Sequence, residues 1–471
     1  MTELAAKLSP GPNLSEADKS AWPLLQAERT WGPWRLGISL ATAAAATWCY
    51  IIGEYVGYYL GFAKGFAALF AGSMIGMLIV ALAAVPICIR FGVDSIASSK
   101  PSFGTRGWII PSVMQQLSIV GWNSLLLIFF AKSTTQLLIA LNVIVEGENT
   151  VIVPVTILLA CVLVFIFLLK GSSGVDRIAK ILVAHVFVGL WMLYILLTER
   201  WGDIQAAQPV YASGDPLWDY TTGVEIGLVS LLSWWPYIGA MVRMAPRGRT
   251  AAVPIMVGMG APVPALSLIG IAGILALQVS DPATWLRSVG GPTYGIIALL
   301  FVAAANLGTA VAGVYASAIG LRHFPTLDRV SWPVLLLITV TPVVLVGFFI
   351  PELFFANFGS FLAFIGMAFA PLCGIQIFDY YFLRQRRIDI RAMFIDGGQS
   401  AYRFWGGFNP AALIAMAVGC GTYLYLLNPL TYVSHGPYDY TTATLPTVLI
   451  AGIVHVVATK LIVKPAGKGG Y

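Results

Sequence analysis

The chain of 471 residues is 58% hydrophobic and 10% charged, with a mean hydropathy of +0.83. Soluble domains carry about 25% charged residues, so this composition excludes a soluble enzyme and marks an integral membrane protein. The formal net charge of +6 follows from the uneven distribution of basic residues across a membrane and gives no reason to expect a nucleic-acid partner.

In chain order, residues 1–30 are polar, carry Pro10 and Pro12, and read as a disordered cytoplasmic tail without a cleavable signal. Apolar segments of spanning length then fall at 36–62, 65–89, 108–131, 149–170, 177–198, 222–243, 252–278, 294–321, 331–350, 354–383, 408–427 and 443–463. An N-terminus inside puts all but four of the 27 Lys and Arg (Lys64, Lys132, Arg200 and Arg287) on one face. A miscounted helix would scatter them, so the positive-inside rule supports twelve spans, an inner (plasma) membrane location and two cytoplasmic termini. The five cysteines lie inside apolar segments without metal-ligand spacing, and neither a disulfide nor a metal or other cofactor is expected.

Four spans carry features a plain membrane helix lacks. Helix 1 has the small-residue run 43–46 followed by Thr47 and Trp48, with Glu54 further on. Helix 3 has Trp122-Asn123-Ser124, and helix 6 has Ser230 and then Ser233-Trp234-Trp235-Pro236-Tyr237. Helix 8 has Ala305-Asn306-Leu307-Gly308-Thr309. Proline removes a backbone donor and clashes with the preceding turn, and in hydrocarbon such a break survives where protein or a cavity re-satisfies the backbone. Each feature alone fits a bland reading: a kink, a packed indole, or an amide joining two helices. Counted at ~1.5 Å per residue, however, the features of helices 3, 6 and 8 all fall near mid-membrane. Helices 1 and 6 also occupy corresponding places in two five-helix units of opposite starting side, 36–198 and 222–383, which is the pattern of an inverted repeat with two broken helices at its centre.

The motifs resemble those of the nucleobase-cation-symport-1 family. Pro101-Ser102-Phe103-Gly104-Thr105-Arg106-Gly107, Pro111 and Gly121-Trp122 match the run between the family's helices 2 and 3. The Ser233–Arg243 stretch resembles its helix 6, Thr309–Tyr315 with Leu321 loosely resembles its helix 8, and Pro371-Leu372-Cys373-Gly374-Ile375 with Asp379-Tyr380-Tyr381-Phe382-Leu383-Arg384 matches the end of its helix 10. The resemblance implies an all-α membrane protein of the leucine-transporter type, twelve helices in all. A 5+5 inverted-repeat core lies within 31–395, and 396–471 supply two peripheral helices and a tail. It implies a monomeric symporter taking a planar nitrogen heterocycle by alternating access, with Trp122, Asn123, Ser230, Ser233, Trp234, Trp235, Tyr237, Asn306, Thr47 and Trp48 as candidate substrate contacts. A channel or a non-transporting receptor of the same fold is the alternative. An intramembrane enzyme is excluded because no catalytic constellation is present.

The sequence also departs from the family pattern. Leu126 stands where members often carry an amide, Ala240 replaces an acid in helix 6, and Val314 replaces an expected Asn in helix 8. A sodium site of this fold would draw on the Ala305 carbonyl and the Thr309 hydroxyl, but Gly308 offers no oxygen where sodium-dependent members have a second hydroxyl, and hard cations depend on ligand number. Co-transport of H+ through Glu54 is therefore expected ahead of Na+, because an ionisable residue inside a span is a functional candidate. Glu54 could instead close an outer ion pair with Lys132, at similar height. Glu225 is expected to be hydrated at the outer mouth of helix 6, and His185 to be a structural residue.

Overall fold

The computed structural model describes residues 22–471 except 45, 148, 170–172, 247, 249–250, 325, 328–329 and 396–399, with backbone alone at 149–150 and 173–185. His185 therefore lies outside the described side chains. Among the described residues twelve apolar helices follow one another, eight long enough to cross a membrane unaided and two more as bent pairs. They are α1 (halves Pro33–Ala44, α1a, and Trp48–Gly57, α1b), α2 (Phe62–Phe91), α3 (Ile109–Ala140), α4 (Asn149–Leu168), α5 (Ser173–Glu199) and α6 (halves Pro216–Leu232, α6a, and Trp235–Val242, α6b). The second half of the chain gives α7 (Ala252–Leu277), α8 (Ile296–Leu321), α9 (Trp332–Phe349), α10 (Phe358–Leu383), α11 (Pro410–Leu426) and α12 (Thr444–Val463). Each lies within a few residues of an expected span, except that α3 runs nine residues further, to Ala140.

Among the described residues α1 and α6 are the two broken spans, bent by 60° and 45°. In α6 the Trp234 N–H turns back to the Leu231 carbonyl at 3.1 Å and Pro236 occupies the first turn of α6b, where a missing N–H costs nothing and the fixed φ starts a new helix. In α1 the chain restarts with Cys49 N–H on the Ala46 carbonyl and Tyr50 N–H on the Thr47 carbonyl. The packing exchanges the two repeats: α1b lies along α7, α6a lies along α2, and α3 lies along α8. The α1b–α7 approach depends on glycine, since a Cβ at Gly53 would fall 1.9 Å from the Ser267 carbonyl and one at Gly270 1.8 Å from that of Tyr50.

The two most specific sequence motifs meet in one structural knot. Arg384 Nε donates to Asp379 Oδ2 at 2.7 Å, Arg384 Nη2 to the Pro101 carbonyl at 2.7 Å, and Ser102 Oγ to Asp379 Oδ2 at 3.0 Å. Tyr471 Oη donates to Asp379 Oδ1 at 2.9 Å, so the C-terminal segment packs back on the core. The short helix Ser95–Phe103 that carries Ser102 also braces α6b, because Ser95 Oγ donates to the Trp235 carbonyl at 2.6 Å and accepts from Gly239 N at 3.2 Å.

Two expectations fail here. Residues 22–30 do not behave as a tail: Leu24 N bonds the Gly92 carbonyl, and the buried Arg29 guanidinium bonds the carbonyls of Leu24 and Ile89. Glu225 is not hydrated but 3% exposed, accepting from Tyr423 Oη (2.8 Å), Thr444 Oγ1 (2.7 Å) and the N–H groups of Ala443 and Thr444 (both 3.2 Å). The position count that put it at the mouth took no account of α11 and α12, which cover it.

Candidate functional site

A cavity of about 670 Å³ starts where the two helix breaks meet and runs to the face that holds the N-terminal segment. That volume lies within the ~300–1,000 Å³ of small-molecule sites. Its inner end is aromatic. Trp48 stands edge-on to Trp122 at 5.5 Å between centroids and tilted to Trp234 at 5.8 Å, and Tyr237 lies 5.1 Å from Trp234. Broken α1 supplies Trp48, unbroken α3 supplies Trp122, and the α6 break supplies Trp234, so the three rings sit on three separate elements. On the opposite side Trp122 packs on Phe358 (5.3 Å) and Phe361 (6.0 Å), and Tyr55 on Phe358 (6.0 Å). This layer closes the far end.

Of the candidates, Trp48, Trp122, Asn123, Ser233, Trp234, Tyr237 and Thr309 line the cavity together. Ser233 Oγ is turned back to the Ser230 carbonyl and Thr309 Oγ1 to the Ala305 carbonyl at 2.9 Å. Asn123 rests on Gly313, where an added Cβ would fall 2.3 Å from its Oδ1; the Asn123 Nδ2 and Trp122 Nε1 donors have no acceptor among the described residues.

The other candidates lie elsewhere. Trp235 is fully buried away from the cavity, its indole N–H donating to Gln376 Oε1 at 2.7 Å and its ring beside Phe369. Successive residues on a helix point about 100° apart, so only one of the paired indoles can face inward. Ser230 is buried with its hydroxyl on the Ile226 carbonyl. Thr47 and Asn306 form a hydrogen bond with each other behind the aromatic wall, tying the α1 break to α8, and Asn306 Nδ2 has no partner. Ala305 is buried in α8.

Glu54, 2% exposed in α1b, accepts from Tyr58 Oη at 2.7 Å through one oxygen, and its other oxygen has no partner. It forms no ion pair with Lys132. Lys132 Nζ instead lies 2.9 Å from Glu352 and 3.9 Å from Asp281. Similar height along two helices does not place two side chains on facing sides, and the linkers before α8 and α10 bring closer acids.

Several lining residues carry no signal in the sequence. Gln115, Met241, Tyr315 and Ala316 line the middle stretch, and Asp94 and Arg243 the mouth. His323 Nε2 meets Asp94 Oδ2 at 2.6 Å, and Asp94 Oδ1 caps the Ser95–Phe103 helix through Ala97 N at 2.8 Å. Burial alone would push the Asp94 carboxyl up; the facing His323, with Arg243 behind it, more than offsets this and holds it down at about 2. An Asp-Ser pair before a helical run is a legible cap, but its partner 229 residues away is not. Leu126 and Ala240 line the wall as well and leave it apolar where a side-chain amide or acid is expected.

The cavity thus offers aromatic faces and uncharged polar edges at its inner end and charges only toward its mouth. Residues 23–451 match the family model described as permease for cytosine/purines, uracil, thiamine, allantoin. A hydantoin permease of Microbacterium maritypicum is 23% identical over 372 residues, 70% of this chain and 68% of that protein. Among solved structures, the inward-facing conformation of the transporter Mhp1 superposes with a TM-score of 0.80 (20% identity, 96% of this chain, 94% of that one). Its closed conformation with bromovinylhydantoin bound gives 0.77 at 20% identity, with 96% of both chains covered. A sodium-coupled sialic acid symporter gives 0.63 at 13% identity, covering 98% of this chain and 96% of that one. These likenesses establish the leucine-transporter type of fold.

Proposed function

This chain belongs to the nucleobase-cation-symport-1 family of membrane permeases, and from that premise we propose that it imports an uncharged planar nitrogen heterocycle by alternating access, driven by a proton gradient. One observation carries the reading. Three indoles from α1b, α3 and the α6 break enclose a single slot at the helix breaks, with charged lining residues only toward the mouth. Aromatic faces hold a flat ring by offset or edge contacts, and an uncharged slot favours a neutral ring, since an unpaired charge there would be desolvated without compensation.

With the basic face in the cytoplasm, the structure corresponds to a state open inward, and the Tyr55–Phe358–Trp122 layer is the barrier that separates to admit substrate from outside. The Lys132–Glu352–Asp281 pairs stand on the same outer side and would part with it. Proton coupling rests on Glu54, a buried carboxyl in α1b whose second oxygen has no partner among the described residues. A sodium ion between α1 and α8 has less to bind: position 308 has no side chain, so of two hydroxyls only that of Thr309 remains. The chain acts as a monomer in the plasma membrane with both termini in the cytoplasm.

The test is uptake into proteoliposomes of labelled hydantoin, allantoin, uracil, cytosine, adenine and thiamine, under an imposed pH gradient in sodium-free buffer and under a sodium gradient at fixed pH. Accumulation of one neutral heterocycle driven by the pH gradient is expected. Strict sodium dependence would overturn the coupling, and gradient-independent passage of every compound would overturn the symporter in favour of a channel.

A further inference from the structure

A second recess, separate from the transport cavity, opens on the flank of the protein between α2, the start of α7 and the N-terminal segment, with a volume of about 520 Å³. Its wall along α2 is formed by Leu78, Leu82, Val85, Pro86 and Ile89, and Ile255 and Met256 face them from α7. Leu78 and Leu82 are 47% and 37% exposed on a spanning helix, so the recess opens sideways at the level of the acyl chains. From Leu78 to Arg90 it runs roughly 18 Å along the helix, the length of an extended acyl chain rather than of a small solute.

The end of the groove on the basic face is cationic. Arg29 and Arg90 line it, and Arg386 lies over the ring of Tyr381, another lining residue, at 5.4 Å. Among the described residues none of these three guanidinium groups has a carboxylate within salt-bridge distance; Arg29 donates to the carbonyls of Leu24, Ile89 and Arg90, and Arg90 to that of Arg386. Glu28, next to Arg29 in sequence, turns to the Leu25 N–H and lines the central cavity instead. Carbonyls orient an arginine without neutralising it, so the groove carries positive charge that the described residues leave uncompensated, at the depth of the headgroups.

We propose that this groove is a binding site for an anionic phospholipid of the leaflet on the basic face, its phosphate held by Arg29 and Arg90 and one acyl chain laid along Leu82 and Leu78. Juxtamembrane arginines draw anionic headgroups in this way, and the fork of a guanidinium suits phosphate oxygens. The bound lipid joins the N-terminal segment to α2 and α7 beside broken α1.

The experiment uses the full-length protein in a neutral detergent. Native mass spectrometry and thermal melting compare phosphatidylglycerol with phosphatidylcholine of the same chains, with glycerol 3-phosphate as the headgroup alone. Retention of phosphatidylglycerol over phosphatidylcholine, with a matching rise in Tm, is expected. The exposed Arg90→Gln should lower that preference about fivefold while the lipid-free melt stays put, and Leu82→Trp, which fills the groove, should reduce retention of both lipids. Equal retention of the two lipids by the wild type, an unchanged preference in Arg90→Gln, or protection by glycerol 3-phosphate equal to that of the whole lipid would each overturn the site.

Discussion

Glu54 and Glu225 invite comparison because they begin alike. Both lie in the halves of broken helices away from the basic face, Glu54 in α1b and Glu225 in α6a, and both are almost fully buried. Their surroundings then diverge. Glu225 accepts four hydrogen bonds that pin α6a to the peripheral helices α11 and α12, whereas Glu54 accepts one and leaves an oxygen bare. The two tryptophans Trp235 and Trp122 repeat the contrast, one with its N–H on Gln376 and the other without an acceptor beside the cavity. Buried polar groups are normally satisfied. Open atoms such as Asn306 Nδ2 and Trp285 Nε1 lie away from the cavity, but Trp122 and Asn123 line it and Glu54 lies in α1b beside the break; under the proposed function these three are the ones a proton or a substrate completes.

The largest effect that would break this comparison is at Glu54. Glu54→Gln keeps the shape and the Tyr58 contact but cannot release a proton, so pH-driven accumulation should fall to an equilibrium ratio of about one while exchange of substrate across the membrane continues. A Glu54→Gln protein that still concentrates substrate would remove the carboxyl from coupling. The opposite outcome belongs to Glu225. Glu225→Ala strands Tyr423, Thr444 and two backbone donors in a dry site, at on the order of 3 kcal/mol or more. A lower Tm and lower yield are expected, with KM and coupling unchanged in the protein that survives. Loss of coupling without loss of stability would mean that the two glutamates had been assigned the wrong way round.

The helices and the family were legible in the sequence because hydrophobic runs, basic-residue asymmetry and two motifs are local signals. Much of the motifs proved to be structural: Asp379, Arg384 and Ser102 lock the ends on the basic face together and do not line the cavity, whereas Trp122 does. Site residues were legible only as depth along a helix and place in the repeat. Depth brought Trp122 and Trp234 to one slot, and the matching places of helices 1 and 6 added Trp48, but neither could decide which of Trp234 and Trp235 faces it, because that depends on rotation by a third of a turn. Nor could depth pair Lys132 with Glu352 or His323 with Asp94, since each pair joins elements some two hundred residues apart through loop paths that leave no periodic trace. The cover that α11 and α12 place over Glu225 was invisible for the same reason.

A smaller effect sharpens the tryptophan half of the comparison. Trp122→Ala should raise KM on the order of tenfold, from about 1 kcal/mol of ring geometry together with the apolar area the indole shares with a bound ring. Membrane insertion and Tm should change little, because the removed ring borders a cavity. Trp235→Phe should do the reverse, leaving KM alone and lowering Tm as the Gln376 carbonyl oxygen loses its donor. Equal effects of the two substitutions on KM would place both indoles at the substrate.

The smallest predicted effect concerns a group that belongs to both classes. Asp94 is fully bonded, through the helix cap at Ala97 and the contact with His323, yet it lines the mouth of the cavity. If satisfaction marks scaffold, Asp94 contributes stability and not transport. Its carboxyl is held down at about 2 in the folded protein, against about 4 in an unfolded chain. A group with a depressed folded pKa stabilises fully above its unfolded value, and that stabilisation is lost as pH falls through the folded value. The difference in stability between wild type and Asp94→Asn should therefore be fully present near pH ~5, shrink from pH ~4 downward, and vanish below pH ~2. Its plateau should be on the order of 1 kcal/mol once the partial exposure of the mouth is allowed for. Melting curves of the two proteins across that range measure it. A change in KM at pH 7 in Asp94→Asn, with no change in Tm, would move Asp94 from the scaffold to the substrate path.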